Sequence, residues 1–180
     1  MQLLRRLPVT ADQYFLNGYQ LRISRPKNCP NCRLPKSLEA LGYYARNLVG
    51  NIGKVRRIII RRFRCRDCER TVSILPSFAQ PYRLVQNPIV HRVFQGELFA
   101  EASRWLPLIR SYWLKFCRWL PDLRKQIGEI TSRAPPRRNP QDWWNLLTTL
   151  MGSLGSITMK FVQEFGFTLF GRYQCHSPNP

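Results

Sequence analysis

Hydrophobic and polar positions change their period partway along the chain. Up to about residue 75 they alternate in twos, as in strands. Tyr19–Ser24, Gly42–Arg46, Val55–Arg64 and Thr71–Leu75 read as strands, and Ile58-Ile59-Ile60 is a β-branched run in the strongest of them. A turn containing Gly50-Asn51-Ile52-Gly53 separates the second and third. Pro76 ends this pattern, and Pro76–Pro88 reads as an extended connector. From Pro88 the period is helical. Helices are predicted over Pro88–Gln95, Glu97–Trp105 and Pro107–Leu120, with Ile109, Trp113, Phe116 and Leu120 on one face of the third. Pro121 is expected to close that helix, and Asp122–Ile130 to form another. Arg133–Pro140, with three prolines and three arginines, reads as a linker. A last helical region, Trp143 to about Phe165, is expected to break at Gly152–Gly155, and Phe167–Tyr173 to form a final strand or turn.

The chain has 180 residues, enough for one domain or two small ones, and its 44% hydrophobic content can form a core. The expected architecture is α+β: an N-terminal small antiparallel sheet, then a mainly α-helical portion with a helix-turn-helix-like segment. Four units follow: 1–83, the helical segment 84–132, the linker 133–140, and the apolar helical segment and tail 141–180.

Charge narrows the class of function. There are 29 Lys and Arg but only 10 Asp and Glu, a net charge of +19. So few carboxylates leave little material for an enzyme built on paired acids or a carboxylate-held metal. A polyanionic partner is expected. Residues 1–80 carry 16 basic against four acidic side chains, so the excess lies mainly in the strand-rich half. No secretory signal is visible at the N-terminus, and the longest charge-free stretch, 143–159, is too short and too rich in Asn, Thr and Ser to span a bilayer. A reducing, cytoplasmic setting is expected, with no membrane and no small-molecule substrate, and cysteines present as thiols or metal ligands.

Cys29-Pro30-Asn31-Cys32 and Cys65-Arg66-Asp67-Cys68 form two CxxC pairs with 32 residues between them. One tight turn presents both sulfurs of a pair to a single ion, and two such knuckles complete the tetrahedron zinc favours with thiolates. A single structural Zn²⁺ on Cys29, Cys32, Cys65 and Cys68 is the expectation, and four protein ligands leave no position open for catalysis. Redox CxxC pairs and an iron–sulfur cluster are alternative uses of four thiols, although neither pair opens a helix as redox pairs do. A second metal site from Cys117, Cys175, His91 and His176 is a remote alternative, and Cys117 reads better as a small buried residue.

Arginines crowd this region. Arg33, Arg56, Arg57, Arg61, Arg62, Arg64, Arg66 and Arg70 are candidates for nucleic-acid backbone contacts, alongside Tyr43, Tyr44 and Phe63. Alternation puts Arg57 and Arg61 on one side of their strand and Arg56, Arg62 and Arg64 on the other. On the third helix, Arg110, Ser111, Lys115 and Arg118 fall away from the apolar face, placed to meet a DNA major groove or simply solvated. Trp143-Trp144 read as core or interface residues, with base stacking as the alternative.

Arg25-Pro26, Cys29-Pro30-Asn31-Cys32, Gly42-Tyr43-Tyr44-Ala45-Arg46 and the run Arg62 to Phe78 together resemble the four-cysteine zinc ribbons of bacterial insertion-sequence and transposase-associated proteins, which are usually followed by a helix-turn-helix. The resemblance covers residues 25 to about 83 well and 84–120 loosely. It implies zinc ligation by the four cysteines and a recognition or accessory role on double-stranded DNA of a mobile element, near the nucleoid. Full transposases of these groups add three separated metal-binding carboxylates, a pattern Glu97, Glu101, Asp122, Glu129, Asp142 and Glu164 do not provide, so catalysis is not expected. A transcriptional regulator, an RNA-binding ribbon, and a subunit docking a transposase or another nucleoprotein component through 143–170 are the alternatives.

Overall fold

A computed structural model describes residues 1–50, 53–131, 139–171 and 175–176. The chain is α+β. One five-stranded sheet has the order β2-β3-β4-β1-β5, from β1 (Gln2–Arg5), β2 (Leu38–Val49), β3 (Val55–Cys65), β4 (Thr71–Pro76) and the two-residue β5 (Cys175–His176). The neighbours β2, β3 and β4 run antiparallel, as expected, but β1 lies parallel to both β4 and β5. The helices are α1 (Ala11–Leu16), α2 (Asn87–Phe94), α3 (Ala100–Ser103), α4 (Leu106–Thr131), α5 (Pro140–Met151) and α6 (Leu154–Phe165). No helix among the described residues is long and apolar enough to cross a membrane.

Two hydrophobic cores result. The first gathers Leu3, Leu4, Tyr14, Leu38, Leu48, Ile58, Ile60, Phe63, Val72, Ile74 and Leu75 around the sheet. The second gathers α2, α4, α5 and α6 around Phe94, Ile109, Phe116, Trp144, Leu147 and Phe161. Helix α6 serves both, with Ile157 and Phe161 in the helical core and Val162 in the sheet core. Trp143 and Trp144 are buried, Trp144 edge-on to Phe94 and Phe116, so they are core residues. The apolar face of 143–170 is thus used within the chain.

Several local expectations are corrected. Tyr19–Ser24 is not a strand: Tyr19–Arg22 is a 3₁₀ turn entered from left-handed Gly18, closed by Leu21 N–H donating to the Gly18 carbonyl. Only Ile23 of that stretch is buried, so six residues of alternation marked no sheet face. Glu97–Trp105 is helical only over Ala100–Ser103. Gly96, at φ +89°, ends α2, and Arg92 holds Glu97 at 2.6 Å, curling the chain there. Pro121 does not close the third helix. Ile109, Tyr112, Phe116, Leu120, Leu123 and Ile127 form one buried stripe through α4, and that burial outweighs the roughly 3 kcal/mol that an internal proline costs.

The connector is not extended either. Ala79, Gln80, Arg83, Val85, Gln86 and Asn87 are buried at the seam between the cores. Hydrogen bonds hold it there: Asn87 Nδ2 donates to the Ser77 carbonyl (2.6 Å) within the connector, while Gln80 Nε2 donates to the Thr158 hydroxyl (2.5 Å) and Leu84 N–H to the Tyr112 hydroxyl (3.1 Å) across the seam. The break between α5 and α6 falls at Gly152 and Ser153, as expected, with Ser153 capping α6. Residues 133–138 of the expected linker lie outside the described residues, and Pro140 opens α5 instead. Thr168 and Gly171 bridge in a turn, whereas 172–174 of the expected final element lie outside the described residues.

Candidate metal centre and basic face

The four predicted cysteines converge. Their sulfurs all lie within 4.8 Å of one another, with Cys29 Sγ 3.7 Å from Cys68 Sγ and Cys32 Sγ 3.6 Å from Cys65 Sγ. Metal–sulfur arms of about 2.3 Å at tetrahedral angles place sulfurs about 3.8 Å apart. Donor type, number and spacing therefore fit a closed four-thiolate metal site. No other metal-ligand cluster occurs among the described residues; Cys117 is half-buried against the helical core, and burial pushes its thiol up.

Each knuckle is built by the same local device. Cys29–Cys32 sits in a small loop where Arg33 N–H donates to the Cys29 carbonyl (2.8 Å) and Cys29 N–H to the Leu34 carbonyl (3.0 Å). Cys65–Cys68 is the turn between β3 and β4, closed by Cys65 N–H on the Arg70 carbonyl (3.0 Å). The residue after each second cysteine is left-handed, Arg33 at φ +63° and Glu69 at φ +56°, reversing the chain so that both sulfurs point inward. Arg66 N–H donates to the Ser37 carbonyl (2.9 Å), joining the second knuckle to the strand that follows the first.

The thiols differ. Burial pushes Cys29 up to about 12. Burial also opposes charge on Cys65, but the Cys68 and Asp67 N–H groups outweigh it and hold that thiol at about 6. The second knuckle thus stabilises thiolate through its own backbone, whereas Cys29 would need a bound cation to hold its thiolate. Sequence reading missed Ser37, a single serine with no spacing signal, whose buried hydroxyl donates to the Leu34 carbonyl (2.9 Å) and braces the loop of the first knuckle.

The β2–β3 hairpin above the metal site changes its covered face midway. Near the cysteines, Leu38, Phe63 and Cys65 are buried on one face; further out, Leu48, Ile58 and Ile60 are buried on the other. The switch falls at a bulge between Ala40 and Gly42, where the ladder shifts and Gly42 takes φ +107°. Strand β4 pairs with β3 only over Arg61–Arg64, so among the described residues Val55–Ile60 pair with β2 alone, and Tyr14 donates its hydroxyl to the Ile59 carbonyl (2.8 Å). Arg46 anchors the covered side, its Nη2 donating to the carbonyls of Gln80 and Arg83.

The candidate arginines divide accordingly. Arg57 and Arg61 stand on the uncovered face, Arg61 stacked 4.5 Å from the Tyr43 ring centroid. Arg62 stacks on Tyr44 on the opposite face, at 5.7 Å. Arg56, Arg64 and Arg66 pair with Asp12 (3.2 Å), Glu69 (3.3 Å) and Glu39 (3.4 Å). Arg33 and Arg70 are exposed beside the knuckles. On α4, Arg110, Lys115 and Arg118 are exposed, while the half-buried Ser111 hydroxyl donates to the Leu108 carbonyl (2.7 Å).

A family described as a domain of unknown function, DUF6431, matches residues 29–105. The matched stretch starts at the first of the four clustered cysteines and takes in both knuckles, the hairpin, the buried connector, α2 and α3. It ends at Trp105, whose indole N–H donates to the Gly53 carbonyl (2.7 Å) at the hairpin tip. No curated protein and no solved structure matches the chain.

Proposed function

We propose that this protein binds nucleic acid, duplex DNA in preference to RNA, through a zinc-stabilised ribbon, and acts as a recognition or accessory component of a bacterial mobile element. The observation that carries the reading is the acid-free hairpin face bearing Arg57 and Arg61, together with exposed Arg33 and Arg70 beside the four-cysteine cluster. The cysteines hold Zn²⁺ as a structural ion, which neutralises thiolate charge and pins the base of the hairpin. Arg33, Arg61, Arg62 and Arg70 contact phosphates. Arg110, Lys115 and Arg118 of α4 extend the footprint; α3 has only four residues and the Ser111 hydroxyl is engaged within its helix, so this helix-turn-helix-like segment contributes charge more than readout. Assignment to a mobile element rests on the resemblance of residues 25–83 to insertion-sequence zinc ribbons.

The test is titration of the zinc-loaded chain with duplex DNA, and in competition with structured RNA, across a salt series. Binding should weaken steeply with salt, the logarithmic slope approaching about −0.9 per phosphate contacted. Affinity that hardly changes with salt overturns phosphate binding, and preference for structured RNA overturns the choice of DNA.

A further inference from the structure

We infer that the uncovered face of the β2–β3 ribbon reads base edges in the DNA major groove, with Arg57 and Asn47 as the base-contacting pair. This rests on the DNA-binding reading and assigns the source of its sequence specificity to the ribbon and not to α4.

The argument starts from the ladder. Tyr43 faces Arg61, Ala45 faces Ile59 and Asn47 faces Arg57, three directly opposed pairs on one face. Tyr43, Asn47 and Arg57 are exposed and the other three half-buried, whereas the reverse face is packed at Leu48, Ile58 and Ile60. One face of the ribbon is thus open from the Tyr43/Arg61 pair to the Asn47/Arg57 pair, ending where Val49 is buried, and among the described residues no third strand pairs with β3 over Arg57–Ile60. A B-DNA major groove, about 12 Å wide, admits such a ribbon. Side chains on one face recur every two residues, about 6.7 Å, and base pairs stack every 3.4 Å or so, so Tyr43, Ala45 and Asn47 match steps of about two base pairs.

The side chains suit readout. The side chains of Arg57 and Asn47 make no hydrogen bond or ion pair with any described residue, which leaves a guanidinium fork and an amide to bond outside the chain. A fork matches the two acceptors of guanine, and an amide matches the donor and acceptor of adenine. Between them and the Tyr43/Arg61 pair, Ala45 and Ile59 offer a small apolar patch of the kind that meets a thymine methyl. Arg61 differs, since its stacking on Tyr43 and, at 5.3 Å, on Phe63 fixes it toward the end of the face for a phosphate. Charge complementarity is one-sided, because none of the six residues on the face is acidic.

The experiment is selection from a randomised duplex pool by the zinc-loaded full chain, compared with Arg57→Lys, Asn47→Ala and Arg110→Ala. Wild-type protein should enrich a short motif. Arg57→Lys keeps the charge but loses the fork, so preference at one G·C position should fall about tenfold or more while the salt slope is unchanged. Asn47→Ala should relax an A·T position close to it. Zinc content and melting temperature equal to wild type certify the fold of these surface variants. An unchanged motif in Arg57→Lys and Asn47→Ala overturns the assignment, as does a motif that changes only in Arg110→Ala. Tight, salt-dependent binding with no enriched motif overturns ribbon readout but leaves backbone binding standing; no binding to any nucleic acid overturns both.

Discussion

Cys32 Sγ lies 3.6 Å from Cys65 Sγ, although 32 residues separate them in the chain. Four buried or half-buried sulfurs so close to one another call for a cation. We expect about one zinc per chain, and tetrahedral thiolate absorption bands after cobalt substitution. Cys32→Ser and Cys65→Ser should each abolish stoichiometric binding and lower stability by several kcal/mol, read from thermal melts and metal analysis. A metal-free wild type that melts like the loaded protein would sink the structural role.

Arg33 combines a left-handed backbone with an exposed side chain. A non-glycine residue in that region costs roughly 1 kcal/mol. Arg33→Gly should therefore raise the melting temperature while weakening DNA binding, the two readouts moving in opposite senses. Stability that falls instead would mean that the Arg33 side chain supports the knuckle.

Two helical glycines should respond oppositely to alanine. A Cβ at Gly128 in α4 meets nothing within 4 Å, and Gly128→Ala should stabilise by about 0.5–1 kcal/mol. A Cβ at Gly155 in α6 would lie 3.1 Å from the Ser77 carbonyl, and Gly155→Ala should destabilise by forcing α6 off the connector. Denaturant unfolding of both variants tests the pair.

His91 supplies a pH dependence. Burial beside the Trp144 ring, with centroids 5.5 Å apart, pushes its pKa below the usual value, partly opposed by Glu97. A depressed histidine favours the neutral folded form. Its contribution is present above about pH 6.5 and is lost as pH falls through that value, where the unfolded chain takes up the proton first. His91→Gln should flatten the decline in melting temperature between about pH 7 and 5. An unchanged slope would place the acid sensitivity elsewhere.

Ion pairing should rank the arginines. Arg56, Arg64 and Arg66 already face carboxylates, whereas Arg57, Arg61 and Arg62 face aromatic rings or solvent. Alanine at Arg61 or Arg62 should reduce the salt slope by about 1 and weaken binding more than alanine at any of the first group. Equal effects would mean that the surface pairs break on binding.

The four-cysteine cluster was legible because CxxC spacing is a short-range constraint: two residues between thiols are a turn whatever surrounds them. The α2 start and the α5–α6 break were legible for the same reason, through Pro88 and Gly152. Strand β1 left no such mark. Its partner β4 lies about 70 residues away and its adjacent Leu3 and Leu4 are both buried, so no alternation appears. Helix α1 did leave one, the reciprocal cap of Thr10 and Gln13, but six residues carry too little periodicity to stand out. The continuation of α4 through Pro121 and the burial of the connector depend on tertiary packing that no local rule contains. The arginines were legible as a population, but their division into paired, stacked and open groups depends on the bulge at Gly42.

The Arg46 clamp has a thermodynamic corollary. Because its guanidinium ties the covered side of the ribbon to the Gln80 and Arg83 carbonyls, the backbone presenting Asn47 and Arg57 is ordered before any partner arrives. Complex formation then restricts a few side-chain rotamers and no main chain, so the heat-capacity change on binding should be small, unlike that of a basic arm that folds onto its target.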